Sequence, residues 1–394
     1  MHGLQLIFFV LYVLLGPVTW LLVAYFVSIG RERMNKLVRN RDTLPAEPPL
    51  VSILIPAKDE GPVIADCIRD VLSQDYPRFE IIAINDRSTD DTGRVLDEVA
   101  ANAAAPMRVL HIDGLPTGWL GKCHALSKGV ESARGEWVFF VDSDVRLQPE
   151  ALSKLAAVAL ARQYDAISIL TRIETHTFIE RLMLPLLAST WMTVFQGDQT
   201  NEESENEKAL ANGQVFLIRA SAYHKVGGHA AVRDRIVEDV ELMRLLKKNE
   251  FKTRFLTGPH LAATRMHTSL NQMFNGWARI FAGTARGSVW PMVRTIAFLL
   301  FCVMSLLPAA IGVALTNHHA YWALAVGVHW LLMTAVLGFV WRWSGNSPAY
   351  ALLTPVSVPI EIAILCFSIR RAISGKIDWR GSAVDVRQTS RQAD

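Results

Sequence analysis

The stretch Trp137-Val138-Phe139-Phe140-Val141-Asp142-Ser143-Asp144 sets five consecutive apolar residues against an abrupt acidic end. A run this short and this apolar fits a strand buried on both faces, as a parallel sheet covered by helices requires. The pattern recurs upstream. Val51-Ser52-Ile53-Leu54-Ile55-Pro56, Phe79 to Asn85 and Arg108 to Ile112 read as strands, and Val63 to Ser73, Thr92 to Ala104 and His124 to Ala133 as helices. Strand and helix alternate, so the segment 45–285 is predicted to be an α/β, Rossmann-like nucleotide-binding unit. Its ligand belongs beyond the carboxyl ends of the strands.

Three of those ends are polar: Pro56-Ala57-Lys58-Asp59-Glu60, Asn85-Asp86-Arg87-Ser88-Thr89-Asp90-Asp91, and Asp142-Ser143-Asp144. Ser88, Thr89, Asp90 and Asp91 precede a helix and are expected to satisfy its free N–H groups. Capping does not account for Asp142 and Asp144. Two carboxylates two residues apart at the end of a buried strand suit a divalent cation, Mg or Mn, that also holds a diphosphate.

Outward from this unit the chain becomes apolar, which explains why 51% of 394 residues are hydrophobic. Leu4 to Ile29 carries no charge and is long enough to cross a bilayer of roughly 30 Å, so residues 1–30 are predicted to be a transmembrane anchor. The run exceeds the apolar core of a signal peptide, and no small-x-small cleavage site follows. Arg31, Arg33, Lys36, Arg39 and Arg41 come next, which by the positive-inside rule places the α/β unit in the cytoplasm of a cell (inner) membrane protein. Residues 293–370 hold three further apolar segments. Pro355, Pro359 and Glu361 interrupt the last, predicting a broken or re-entrant element that returns the basic tail 371–394 to the cytoplasm.

Charge and cysteine usage exclude other classes. Forty basic against 37 acidic residues is too even for a nucleic-acid binder working by phosphate neutralisation. Four scattered cysteines suggest neither a disulfide framework nor a structural zinc site. The tract Asn201 to Glu207 reads as a solvated acidic loop.

The series VSILIPAKDE, AINDRSTDDT, GWLGKCHAL and VFFVDSDV, continued by Asn212-Gly213-Gln214, Val226-Gly227-Gly228-His229, Val237-Glu238-Asp239-Val240-Glu241-Leu242 and Gly276-Trp277-Ala278-Arg279, resembles membrane-bound family 2 glycosyltransferases of the GT-A fold. The similarity is to the branch that glycosylates lipids, including ceramide glucosyltransferase and the hopene-associated and carotenoid-acid enzymes. The resemblance implies roles. Pro56, Ala57 and Glu60 would edge a uracil-type base, Asp86 would contact base or ribose, and Lys122 the ribose or diphosphate. Asp142 and Asp144 would hold donor sugar and metal, with Asp144 the direct ligand, while Gly213 and Gln214 would line the donor site. Asp239, of the Glu238-Asp239 pair, would be the catalytic base. Trp277 and Arg279 are carried over as donor- or acceptor-side candidates, and Arg265 and His267 as groups that could approach the diphosphate or metal.

The motif Gln-x-x-Arg-Trp of processive members is altered here, since Gln272 and Trp277 stand five apart. The expected activity is therefore single-sugar, inverting transfer from a UDP-type donor to a hydroxyl or carboxyl of a lipid, with a processive polysaccharide synthase as the alternative. The apolar stretch Thr177 to Gln196 is either a buried core helix or an interfacial helix that walls the acceptor's approach.

Overall fold

The computed structural model describes residues 3–38, 42–195, 200–202, 208–285, 288–315, 318–374, 376–379 and 382–385. β1 (Val51–Ala57), β2 (Phe79–Asp86), β3 (Met107–Ile112) and β4 (Trp137–Val141) are the predicted strands, parallel in the order β3-β2-β1-β4. Val51 pairs with both Phe79 and Trp137, so the strands start level and their carboxyl ends emerge on one rim. All five residues of β4 are buried, which is why the run tolerates no polar residue before Asp142.

Six more strands follow: β5 (Val145–Leu147), β6 (Ala166–Leu170), β7 (Arg172–Ile173), β8 (Val215–Arg219), β9 (Thr253–Thr257) and β10 (Ala262–Thr264). β8 inserts antiparallel between β4 and β6, and β9 joins β6 in parallel, completing the seven-stranded order β3-β2-β1-β4-β8-β6-β9. Because β8 runs backwards, with Val215 opposite Val141, the residues before it reach the rim. Asn212, Gly213 and Gln214 thereby sit beside Asp142. β5, β10 and β7 form a second, three-stranded sheet that joins the chain just after Asp144 to the chain just before Arg265.

Among the described residues, four helices are long and apolar enough to cross a membrane: Gly3–Ile29, Trp290–Val313, His319–Trp343 and Pro348–Ser374. They flank the α/β domain and share a core with the helix Phe178–Val194. The first three are stitched by polar contacts. A π-helical turn, Leu299–Met304, offers the Cys302 carbonyl to Trp20 Nε1 at 2.8 Å and to His329 Nε2 at 2.9 Å, while Tyr12 Oη meets His329 Nδ1 at 2.9 Å. Interhelical bonds of this kind hold helices where no hydrophobic force does. Of the basic flank, Arg39 and Arg41 lie outside the described residues, as do Glu203 to Glu207 of the acidic tract and half of the tail.

One expectation changes. The last apolar segment is not broken: after a short 3-10 turn, an unbroken helix covers Thr354–Ser374. Pro355 falls in its first turn, where a missing N–H removes no bond, and the helix continues through Pro359. Both flanks of this helix are nevertheless tied to the α/β side. Thr175 Oγ1 bonds Asn346 at 2.6 Å, and Arg371 donates to the Asn275 carbonyl and Oδ1 at 3.1 and 2.7 Å. The helix Phe178–Val194, expected as either a core or an interfacial helix, buries Leu182 to Leu187 among the apolar helices, and none of its residues lines the cleft described below.

A helix tied at both flanks to one domain should keep its ends on one side of a bilayer. In a Cys366→Ala background, Ser374→Cys and Lys154→Cys are expected to react with an impermeant maleimide in sealed vesicles of the same orientation. Labelling in opposite orientations would show that the helix crosses.

Candidate active site

The strand ends and the residues preceding β8 enclose a cleft of about 560 Å³. Pro56, Ala57, Lys58 and Glu60 come from the end of β1, Asp86 and Arg87 from the end of β2, and Asp142, Ser143 and Asp144 from the end of β4. Asn212, Gly213 and Gln214 lead into β8. Glu238 and Asp239, at the start of the helix Glu238–Lys248, adjoin these ends, and Arg265, His267, Gln272 and Arg279, in and after the turn that leads into the helix Leu270–Thr284, complete the lining.

The two loops that open from β1 and β2 hold each other. Asp90 acts as a cap, accepting from Thr92 N at 3.0 Å and from Gly61 N at 3.1 Å. Ser88 and Thr89 instead bind Asp59: Asp59 N donates to Ser88 Oγ, and Thr89 N donates to Asp59 Oδ1. Asp91, the residue at the helix start, makes no side-chain cap. Capping thus explains one of the four residues assigned to it.

Asp86 is buried and gripped by its neighbour, with Arg87 Nε and Nη2 on its two oxygens at 2.7 and 2.9 Å. The fork fits only because residue 121 lacks a side chain. A Cβ at Gly121 would lie 2.5 Å from Asp86 Oδ2 and 2.6 Å from Arg87 Nη2. Arg87 was not singled out in the sequence, where nothing distinguishes it from a loop arginine.

Lys122, in the first turn of the helix Gly121–Glu131, stands at the centre. Its Nζ lies 2.7 Å from Asp142 Oδ1 and 2.9 Å from Glu238 Oε1, joining the acidic end of β4 to the acidic pair Glu238 and Asp239. Desolvation alone would lower its pKa, yet Asp142, Glu238 and Asp239 together hold the ammonium well above its ordinary value. The lysine is charged at any working pH.

Asp239 accepts from Gly213 N at 2.5 Å and from Val240 N at 2.8 Å, so both oxygens are oriented by backbone. Desolvation, then repulsion from Glu238, push its pKa up to about 7, against the pull of Lys122 and these bonds. Asp144 rises to about 6, through desolvation and then the charges of Asp142 and Glu60. Among the described residues no three His, Cys, Asp or Glu side chains converge as a ready-made metal cage. His267 Nε2 is buried without a hydrogen-bond partner, and its ring fills the space that a Cβ on Gly276 would take, 2.2 Å from Nε2. Desolvation, with Arg279 adding, lowers the His267 pKa to about 4, leaving a neutral imidazole at the cleft.

Every candidate drawn from the sequence lines this cleft except Trp277. It is 4% exposed and packs with Phe281, on the face of the helix Leu270–Thr284 opposite Gln272 and Arg279. Met273, Trp277 and Phe281 repeat every fourth residue, the stripe a helix buries. Val237, from the motif that holds Asp239, and Ile236, Met266 and Ile280, which no motif flagged, give the cleft an apolar side; Ile236 and Ile280 also pack on the core of the apolar helices.

Comparison with known proteins accords with this architecture. The family model described as "Glycosyl transferase family 2" matches residues 52–227, from β1 past β8 and short of Asp239. The 4,4'-diaponeurosporenoate glycosyltransferase of Staphylococcus aureus strain USA300 is 27% identical over 260 residues, 64% of this chain and 66% of that protein, so the match spans just under two thirds of the relative's length. Among solved structures, a mannosyltransferase from Pyrobaculum calidifontis in complex with GDP-Man and Mn2+ superposes with a TM-score of 0.52 at 16% identity. That superposition covers 91% of this chain and 95% of that one. Residues 52–227 therefore match the glycosyl transferase family 2 model, and the chain has a GT-A fold flanked by apolar helices.

Proposed function

We propose that the protein is an inverting transferase that moves one sugar from a UDP-type donor to a hydroxyl or carboxyl of a lipid acceptor at the cytoplasmic membrane face, with Asp239 as base. The observation that carries this reading is the position of Asp239. Its carboxylate is bonded to Gly213 N, beside the end of β4, with Ile236 and Val237 just before it in the chain and Ile280 lining the same cleft. A donor held at the strand ends and an acceptor arriving along the apolar side would meet at that carboxylate. The Staphylococcus relative is named for a carotenoid acid, which supports a lipid-like acceptor.

The donor end suits an anion. Lys122, Arg87 and Arg265 supply positive charge, and charge-assisted bonds to phosphate are the strong ones. Asp142 and Asp144, with Glu60 nearby, form a partly desolvated acidic group that fits a divalent cation shared with a diphosphate. When bound, Mg or Mn would offset charge on the departing nucleoside diphosphate. The mannosyltransferase solved with Mn2+ supports the same assignment. The backbone N–H groups of Gly213 and Val240 keep Asp239 aimed, and its raised pKa suits proton removal near neutrality.

Since a base must be ionised, kcat/KM should fall by about tenfold per pH unit below roughly pH 7. Asp239→Asn is expected to lose at least about a hundredfold in kcat while binding UDP as the parent does. Retention of turnover by that variant in detergent would remove Asp239 from the mechanism.

Titration with UDP, in the presence and absence of Mn2+, checks the donor end. The parent should bind more tightly with the ion, and Asp144→Ala should lose that gain; equal affinities with and without Mn2+ in the parent would contradict the cation assignment.

A further inference from the structure

Glu180 belongs to none of the site motifs, yet it joins the membrane-side core to the cleft. It lies in the first turn of the helix Phe178–Val194, and its side chain is 0% exposed. One oxygen, Oε2, completes a capping box by accepting from His176 N and Thr177 N. The other, Oε1, accepts from Arg265 Nη2 at 3.0 Å. A cap alone needs one oxygen and would leave the second charged and enclosed, which is costly without a cation.

Arg265 lines the cleft, and its side chain is 41% exposed, so packing alone does not set its direction. The bond to Glu180 uses Nη2 and leaves further donors of the planar fork for a ligand. The backbone brings the same elements together. β10, which ends at Thr264, pairs with β5 after Asp144 and with β7 before the helix, and Glu174 N donates to the Thr264 carbonyl at 2.8 Å. Four residues beyond Glu180, Leu184 is buried in the core shared with the apolar helices.

We propose that Glu180 is a positioning residue that aims the Arg265 guanidinium at the donor's diphosphate, so that donor affinity depends on how the helix Phe178–Val194 is seated. The inference rests on the reading of the strand-end cleft as the nucleoside diphosphate site. It differs from a purely structural role for Glu180 in one respect. Loss of the carboxylate should weaken binding of the diphosphate and leave the nucleoside alone.

The test uses the full chain in detergent with Mg2+, with UDP and uridine as probes and calorimetry as readout. Glu180→Gln is expected to weaken UDP by about tenfold with uridine unchanged, the size of one charge-assisted bond. Arg265→Gln should do the same, and the double variant should be no worse than Arg265→Gln. Thr177→Ala, which removes the cap but keeps the ion pair, should lower thermal stability without moving UDP affinity. If Glu180→Gln does not fold, Glu180→Asp carries the same test, since any loss it causes must vanish in the Arg265→Gln background.

Additive losses in the double variant, equal losses for UDP and uridine, or an unchanged UDP affinity in Glu180→Gln would overturn the positioning role. Failure of the parent to bind UDP, or no effect of Arg265→Gln, would instead overturn the underlying assignment of the diphosphate end, and the inference with it.

Discussion

One ammonium lets carboxylates from distant parts of the chain share a cleft. Lys122 bonds Asp142 from the end of β4 and Glu238 from the helix Glu238–Lys248, and so holds the two carboxylates side by side in the cleft. Without it Asp142, Glu238 and Asp239 would repel one another in a partly dry site, where desolvation already pushes the Asp239 pKa up. The lysine is placed by the fold. The helix that carries it begins at Gly121, pressed against the Asp86–Arg87 fork, and Leu120 N is fixed by the Arg233 carbonyl at 2.7 Å. Ligand geometry in the cleft is thereby tied to the strand order.

The apolar part of the chain has more than one use. Three apolar helices are joined through the Cys302 carbonyl and His329, and the fourth lies along the α/β domain, held at Asn346 and Arg371. The helix Leu270–Thr284 is the boundary between these materials. Its Met273, Trp277 and Phe281 face the apolar core, while Gln272 and Arg279 face the cleft. The cleft thereby stands against the core of the apolar helices, with one helix supplying a face to each.

Much of this was legible in the sequence where burial dictates composition. Five apolar residues ending in Asp142 can only be a strand covered on both faces, and parallel strands that start level place their polar ends together. The antiparallel β8 was not legible, because a central strand has the same composition in either direction. Trp277 was misread from its motif, although its four-residue spacing with Met273 and Phe281 indicates a buried stripe. Thr177-x-x-Glu180 is legible as a capping box, but its bond to Arg265 left no signal, nor did the Arg87 grip on Asp86, since each depends on a residue brought close only by tertiary structure: Arg265 for one, Gly121 for the other. The last apolar helix shows the opposite error. Proline content suggested a break, but a proline in a first turn removes no bond, and Pro359 is carried within a helix packed on its neighbours.

In the proposed function, this cleft transfers a single sugar from a nucleotide to a lipid. Membranes containing the protein, supplied with Mg2+ or Mn2+ and in turn with radiolabelled UDP-glucose, UDP-galactose and UDP-N-acetylglucosamine, should convert one donor into a solvent-extractable lipid. Mass spectrometry should find one added sugar, absent with Asp239→Asn. Label recovered in an insoluble polymer, or no transfer from any of the three donors, would contradict the account.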